Sequence, residues 1–511
     1  MTTSERAIRV RYAPSPTGYQ HVGGIRTVIF DWLWARHTGG TFILRIEDTD
    51  RKRFKEGALE DLFASLEWLG LDYDEGPNKG GDFGPYFQSE RLSLYHEYAS
   101  RLIELGGAYE CYCAPRREEE ESDEGDEPPP APAGRRDPCR DLSEDERARE
   151  RATCATEGRR PVVRLKTPLE GRTAVRDLSR GEIVFENKTI PDYILLKSDG
   201  FPTYHLANVV DDHFMEISHI LRGDEWIPTA PMHVIMYRFF GWEPPIYAHV
   251  PMVLDPSGKG KLSKRKQVGA DGQAVENLTM VREFRAAGYL PEALFNFLAT
   301  LGWALSGDQE VFSREEAVAA FELEDIKKSP ARFEYEKLEW MNGVYIRALD
   351  PAELAARVLP FMHEAGLSVT LEQILPLVTS IQERIKTLRE AVDMLDFFFS
   401  EIRTPPLEEL VAKKMTPEST REALQAARAR LSAIEWSEPA LEASLRASAD
   451  ELGLKAGALF TPIRLAVTGK RVSPPLFETL YHLGRDRSLG RLDRTIAALA
   501  EAAEGHPVGQ G

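Results

Sequence analysis

Apolar residues near the start of the chain alternate between two periods, and the alternation predicts a fold. Ile8 to Tyr12 is short and rich in β-branched and aromatic residues, and Pro14, Pro16 and Gly18 stop it, which reads as a buried strand feeding a turn. Ile25, Val28, Ile29, Trp32 and Leu33 then fall at i, i+3, i+4, i+7 and i+8, the mark of a helix with one apolar face, closed by Gly39-Gly40. Phe42 to Ile46 repeats the strand pattern, and Leu59, Leu62, Phe63, Leu66 and Leu69 repeat the helix pattern. Strand, helix, strand, helix implies an α/β fold with a parallel, nucleotide-binding sheet whose ligands gather at the carboxyl ends of the strands.

The pattern breaks over Tyr109 to Arg160, where EEEESDEGDEPPPAPAGRR joins a charge run to a proline cluster and predicts an extended or disordered excursion. Strands resume at Val162 to Leu165, and Asp192 to Leu206 reads as a hairpin turning at Ser198-Asp199-Gly200. The Rossmann-like fold is therefore expected to be split by an insertion, with its second half near Tyr204 to Lys266. Beyond about residue 345 amphipathic helices rich in Ala, Leu, Glu and Arg take over, one of them expected over Ile381 to Glu390 with Arg384 and Arg389 on different faces. The expected boundaries are 1–90 and 201–266 for the two halves of the nucleotide fold, 91–200 for the insertion, 267–345 for a following domain and 346–511 for an all-α region.

Length and composition narrow the class. A chain of 511 residues is too long for one core, and 42% hydrophobic residues without an apolar run of 18 is the composition of a soluble, non-membrane protein. The start MTTSERAIRV has no apolar signal stretch, so a cytoplasmic location is expected. A net charge of -18 argues against nucleic acid as a partner until its distribution is considered. Glu118 to Glu127 packs eight acidic residues into ten positions with no base among them, whereas basic residues cluster at Arg51-Lys52-Arg53-Lys55, at Lys259 to Lys266, and at Arg464, Lys470, Arg471, Arg485, Arg487 and Arg491. Basic strips on an acidic body suit a transient, salt-sensitive RNA partner.

Two stretches carry chemistry together. Pro14-Ser15-Pro16-Thr17-Gly18-Tyr19-Gln20-His21-Val22-Gly23-Gly24 is a strand-to-helix turn with a histidine, and Lys261-Leu262-Ser263-Lys264-Arg265 is a lysine loop flanked by Gly258 and Gly260. In this order they resemble the two signatures of class I aminoacyl-tRNA synthetases. PSPTGYQHVGG, FILRIEDTD, PTYHLANVVDDH, LRGDEW and GYLPEALFNFLATLGW extend the likeness to bacterial-type glutamyl-tRNA synthetases, over nearly the whole chain. The resemblance implies ATP, L-glutamate and tRNA(Glu) as partners, a monomer, tRNA bound before activation proceeds, an acceptor-stem-binding insertion, a stem-contact domain over 267–345 and a helical anticodon-binding region.

Activation of an amino acid brings a carboxylate against the α-phosphorus of ATP, so the catalyst must offset repulsion and the charge growing on pyrophosphate. His21, Lys261 and Lys264 are the expected catalytic groups, with Pro14, Gly18, Gly23, Gly24 and Ser263 completing the ATP site at a helix N-terminus. Mg²⁺ is expected on the phosphates, with no dedicated protein cage. A substrate carboxylate calls for an arginine fork, and Arg222 follows a short apolar run that predicts a strand. By resemblance it meets the γ-carboxylate of glutamate, with Arg11, Ser15, Glu47, Tyr204 and Asn208 around the α-amino and α-carboxylate groups.

All four cysteines, Cys111, Cys113, Cys139 and Cys154, lie in the insertion, and in a cytoplasmic chain a clustered set suggests metal rather than disulfides. Some members of the resembling family hold zinc with two cysteines one residue apart, then a third and a histidine two residues after it. Cys111, Cys113 and Cys139 fit that pattern, while Asp141 stands in place of the histidine; either Asp141 or Cys154 completes a four-coordinate site, or the thiols are structural without metal. Two further readings differ in function: an enzyme that also charges tRNA(Gln), and a non-catalytic tRNA-binding regulatory paralogue, against which His21, Lys261 and Lys264 stand.

Overall fold

The computed structural model describes residues 7–113, 136–263, 267–268, 274–275, 277–307, 309–412 and 415–504. Internal contacts divide the chain into two units, residues 1–285 with 291–338, and residues 286–290 with 339–511. The acidic run Glu118 to Glu127 and Lys264 lie outside the described residues. Among the described residues no helix is long and apolar enough to cross a membrane.

In the first unit β1 (Arg9–Tyr12) leads through the proline-rich turn to α1 (Val22–Thr38) and back into β2 (Thr41–Leu44), followed by α2 (Ala58–Trp68). Gly39 closes α1 in the left-handed region at φ 64°, a conformation that favours glycine because it has no Cβ. β1 and β2 pair in parallel from Arg9 against Thr41 to Tyr12 against Leu44, as their pattern predicts. Val10, Val28, Ile29, Leu33, Phe42, Ile43 and Leu44 are fully buried where α1 covers these strands.

The insertion begins with α3 (Leu92–Glu104) and β3 (Ala108–Cys111). After the residues left undescribed, α4 (Glu144–Thr156) forms where the sequence predicts an irregular excursion. The reason is local: Ser143 and Glu146 form a reciprocal capping box, and Cys154 anchors an otherwise exposed helix in the core. β4 (Val162–Leu165) pairs antiparallel with β3, and the hairpin of β5 (Arg172–Asp177) and β6 (Gly181–Glu186) follows.

The predicted hairpin over Asp192 to Leu206 is only half formed. β7 (Ile194–Leu196) turns at Ser198-Asp199-Gly200, but its return is one bridge between Leu196 and Pro202 before α5 (Tyr204–Phe214) begins. Pro202 has no N–H for a ladder, and Leu206, Val209 and Val210 carry a helical period that buries them.

The second half of the nucleotide fold consists of β8 (His219–Gly223), α6 (Ala230–Phe240) and β9 (Ile246–Val250). β8 and β9 are parallel, and β9 also meets the β5–β6 hairpin through Asp177 and Tyr247, giving the order β6-β5-β9-β8. The hairpin from the expected insertion thus adds to the catalytic sheet. Ser218, just before β8, donates its N–H to Arg9 O at 2.9 Å, which sets β8 beside β1 and brings both strand ends to one side.

The second unit is helical, with helices Pro351–Glu364, Leu371–Gln382, Pro417–Ala433, Glu438–Glu451, Ala456–Thr468, Leu476–Leu483 and Arg485–Glu504. The helix expected over Ile381 to Glu390 is absent: one helix ends at Gln382 and the next starts at Glu390. Tertiary partners hold the gap open, because Leu388 donates its N–H to Gly288 O at 2.8 Å and Lys386 O accepts from Asn342 Nδ2 at 2.5 Å. Several members of the basic cluster near the C-terminus are tied to backbone carbonyls of the same unit. Arg491 donates to the carbonyls of Phe397 at 2.8 Å and Ser400 at 3.0 Å, Arg487 to that of Phe398, and Arg464 to that of Pro474 at 2.7 Å.

Candidate active site

His21 is the N-cap of α1, with extended backbone at φ -84° and ψ 137°. Its Nδ1 accepts the N–H of Gly23 at 3.0 Å, which leaves the ring proton on Nε2. A Cβ on Gly23 would lie 3.1 Å from that Nδ1, so glycine keeps the cap close. A neutral imidazole donor and the first N–H groups of a 17-residue helix therefore share one end of the sheet. The turn is held from both sides: Val22 donates to Thr279 O at 2.9 Å, Val281 to Gln20 O at 3.0 Å and Glu47 to Pro14 O at 3.0 Å. Ser15 is exposed in this turn, and Gly18 lies half-buried beside it.

Behind the turn, Arg11, Glu47 and Asn208 converge through two residues that the sequence reading did not single out. Asp212 Oδ1 accepts from Arg11 Nε at 3.1 Å and from Arg45 at 2.7 Å. In the amide orientation that satisfies its neighbours, Asn208 donates to Asp212 Oδ2 at 3.0 Å and accepts from Arg45 at 3.1 Å and Arg11 at 3.2 Å. Burial opposes the charged form of Asp212, yet the two arginines hold its carboxyl below the usual carboxylate range. Asp211 is fixed in the same way by Arg91 at 2.7 Å, Tyr95 at 2.8 Å and Gln88 at 2.9 Å. Glu47 accepts from Arg45 at 3.2 Å, but burial dominates and pushes its carboxyl up to about 7. The signal for this network was in the sequence: two adjacent acids in the apolar run of Val209 to Phe214, and an arginine inside a strand.

Arg222 sits near the end of β8, buried, as its position after Ile220-Leu221 predicts. Its Nε donates to His249 Nε2 at 3.1 Å, one Nη faces Tyr204 Oη at 3.4 Å and the other faces Trp226 O at 3.3 Å. Tyr204 packs against Trp226 with ring centroids 4.5 Å apart and planes tilted by 42°, and both rings are half-buried, so that edge of the guanidinium faces the accessible side. The groups around it are neutral. Burial pushes His205 down to about 3 and His249 down to about 4, and it holds His233 well below its ordinary value. His205, His233, His249 and Asp177 were not foreseen, because each alone is an ordinary core residue.

The lysine segment begins in a tight hairpin in which Leu262 donates to Val253 O at 2.9 Å and Asp255 to Gly260 O at 2.8 Å. Leu262 is buried while Lys261 and Ser263 are exposed, so the buried leucine pins the root of the loop. Lys261 Nζ lies 3.8 Å from Glu225 Oε1. Lys264 falls outside the described residues.

In the insertion the sulfurs of Cys111, Cys113 and Cys139 lie within 4.8 Å of one another, with Cys113 and Cys139 3.6 Å apart. Four sulfurs tetrahedrally placed about 2.3 Å from zinc would be about 3.8 Å apart, so the three thiols fit such an ion. Burial, then the Cys111 sulfur, pushes the Cys113 thiol up to about 12. A cation there would reverse that preference. Neither predicted fourth ligand joins the three within this distance. The Asp141 side chain is 79% exposed, 4.0 Å from Lys166, whereas Cys154 is buried in the same apolar cluster.

Family models agree with this layout: residues 7–340 match the catalytic domain of class I tRNA synthetases (E and Q), and residues 353–496 match an anticodon binding domain. A class I aminoacyl-tRNA synthetase is thus what the split parallel sheet and its histidine turn define. Closer relatives narrow the class. The glutamate–tRNA ligase of Dehalococcoides mccartyi is 47% identical over 500 residues, covering 97% of this chain and 98% of the relative. That of Chloroflexus aurantiacus is 47% identical over 520 residues, covering 98% and 100%. The crystal structure of a glutamate tRNA ligase from Elizabethkingia meningosepticum, solved in complex with its amino acid, superposes with a TM-score of 0.80 at 31% identity over 96% of this chain and 99% of that one. The chain belongs to the glutamate–tRNA ligase family.

Proposed function

We propose that this chain activates L-glutamate with ATP and passes the glutamyl group to the terminal adenosine of tRNA(Glu), with tRNA bound first. The observation that carries the amino-acid choice is the buried guanidinium of Arg222 set among neutral histidines. A γ-carboxylate satisfies that charge, whereas the neutral amide of glutamine leaves it unpaired in a dry site. Glu47 supplies the negative partner for the α-ammonium. Arg11 and Asn208 act from the Asp212 network, Tyr204 closes the pocket over Arg222, and Ser15 lies in the turn.

In the first step a glutamate α-carboxylate oxygen attacks the α-phosphorus of ATP and pyrophosphate leaves with the bridging oxygen. His21 Nε2–H and the N-terminus of α1 face the phosphates, with Pro14, Gly18, Gly23 and Gly24 letting the backbone approach. The lysine segment with Lys261, Ser263 and Lys264 is assigned to the phosphates, and Lys261 exchanges Glu225 for phosphate. Mg²⁺ accompanying ATP would offset negative charge on the phosphates. In the second step a hydroxyl of the terminal ribose, the 2′ in class I, attacks the activated carbonyl carbon; AMP leaves and takes up the proton.

The insertion binds the acceptor stem, residues 267–345 contact the stem, and the helical unit reads the anticodon, where Arg384 and Arg389 are the candidate readers. The enzyme is a monomer of the cytoplasm, a compartment that keeps its four thiols reduced. Cys111, Cys113 and Cys139 would hold one zinc ion, which would supply a structural cross-link within the insertion, with the buried Cys154 better placed than the exposed Asp141 to complete the site. Metal analysis of purified protein should find about one zinc per chain, falling to background in Cys113→Ser; wild-type protein with less than about half an equivalent counts against the site.

Aminoacylation with radiolabelled glutamate tests the whole reading. Charging of tRNA(Glu) alone is expected. Charging of tRNA(Gln) as well would make the enzyme non-discriminating, and tRNA binding without charging would favour the regulatory reading.

A further inference from the structure

Arg222 is anchored by one edge and offers the other. Its Nε reaches His249 Nε2 at 3.1 Å on the buried side, and its two Nη atoms face the half-buried Tyr204 and Trp226. Behind His249 stands Asp177, whose Oδ2 lies 2.6 Å from His249 Nδ1. Asp177 is fully enclosed by donors: Oδ1 accepts from Ser179 Oγ at 2.7 Å and Arg180 N–H at 2.8 Å, and Oδ2 also accepts the His249 N–H at 3.1 Å. Held this way, it stays a carboxylate.

A carboxylate only accepts, so His249 Nδ1 carries the proton and Nε2 is left bare. An arginine only donates, so a bare Nε2 is the one imidazole form that can receive Arg222 Nε–H. Each link therefore fixes the next. We infer that Asp177 and His249 are positioning residues for amino-acid selection: they lock the guanidinium through Nε and present its two-nitrogen edge to the substrate's side-chain carboxylate.

The neutral ring in the middle has its own physical reason. A carboxylate placed directly on Nε would pair with Arg222 and cancel the charge that the substrate must meet. Imidazole transmits orientation while keeping the anion one ring further away. The second neutral pair, His205 Nδ1 3.0 Å from His233 Nε2, with His233 Nδ1 3.5 Å from an Arg222 Nη, flanks the same guanidinium without adding charge.

This inference rests on Arg222 receiving glutamate, and the experiment separates the two. Steady-state aminoacylation with saturating tRNA would be measured against glutamate and against ATP for Arg222→Ala, His249→Phe, His249→Gln and Asp177→Asn, each with its thermal midpoint. Phe keeps the ring and removes the acceptor, whereas the Gln oxygen can accept from Arg222 Nε. Loss of a hydrogen bond to a charged group predicts a glutamate KM raised about ten- to hundred-fold in His249→Phe, with the ATP KM within about two-fold of wild type. His249→Gln should recover most of that rise, and Asp177→Asn should show a smaller rise of the same kind.

An unchanged glutamate KM in His249→Phe beside an inactive Arg222→Ala would overturn the positioning role alone. Parallel losses in both KM values with a lowered thermal midpoint, not relieved in His249→Gln, would also overturn it, since that is the signature of a packing residue. A normal glutamate KM in Arg222→Ala would remove the Arg222 reading, and the positioning role with it.

Discussion

The two units bury polar atoms in different ways. The catalytic unit buries charge against charge: Arg11, Arg45 and Arg91 meet Asp211, Asp212 and Glu47, all with little or no exposed surface. In the helical unit the buried polar residues are mostly hydroxyls, among them Thr420, Ser444, Ser448, Thr468, Thr479, Ser488 and Thr495. Several bond back to a carbonyl one turn earlier, as Ser448 does to Ser444 at 3.0 Å and Thr495 to Arg491 at 3.1 Å. Its buried arginine, Arg491, clamps backbone carbonyls rather than a carboxylate, and burial pushes it down to about 10. A neutral hydroxyl bonded to a nearby carbonyl is satisfied locally, and even an unbonded one costs far less to bury than an ion. Buried ions cost several kcal/mol each unless paired, and the pairing repays desolvation only in good geometry. The difference matches the proposed site: the catalytic unit buries groups that are costly unless paired, as a charged substrate would require, and the helical unit relies on groups that are cheaper to bury.

The sharpest break in this contrast is Arg222→Ala, which should lower kcat/KM for glutamate about 10²–10⁴-fold in aminoacylation while tRNA binding persists. Retained activation would remove the central charge from the argument. Next in size is Asp212→Asn, which leaves Arg11 and Arg45 without their shared anion. A destabilisation of about 3–5 kcal/mol is expected in the denaturant transition of the catalytic unit, and a wild-type midpoint would show the network to be dispensable.

The pH dependence of glutamate binding tests Glu47. Its carboxyl, pushed up to about 7 by burial, takes up a proton as pH falls through that value and loses the charge proposed to meet the substrate ammonium. The glutamate KM should therefore rise about ten-fold between pH 8 and pH 6, and the rise should vanish in Glu47→Gln. The smallest effect belongs to the helical unit, where Arg428 makes two bonds to Asp493 at 2.8 Å and 2.9 Å on an exposed surface. Water already solvates both partners there, so Arg428→Ala should leave the thermal midpoint of this unit unmoved.

How much of this was legible depended on whether the cause was local. The strand, turn and helix from Ile8 to Gly39 follow from spacing and from residue types at each end, and the structure reproduces them. Arg222 at a strand end was legible for the same reason. Where the helix Ile381 to Glu390 was expected, Gly288 and Asn342 supply hydrogen bonds from residues far away in the chain, and no window of sequence contains them. The helix Glu144–Thr156 was missed although its capping box was in plain view, because the proline and charge run before it coloured the whole segment.

By itself the sequence determined the periodicities, the glycine-and-histidine turn and the supply of arginines and acids, since these depend on neighbours a few residues apart. Only the tertiary structure decided which acid meets which arginine. Asp177 and His249 are 72 residues apart, and His249 and Arg222 are 27 apart. Three parallel strands must pair in register before those side chains meet at all, and it is that meeting, among buried neighbours, that sets their charge states.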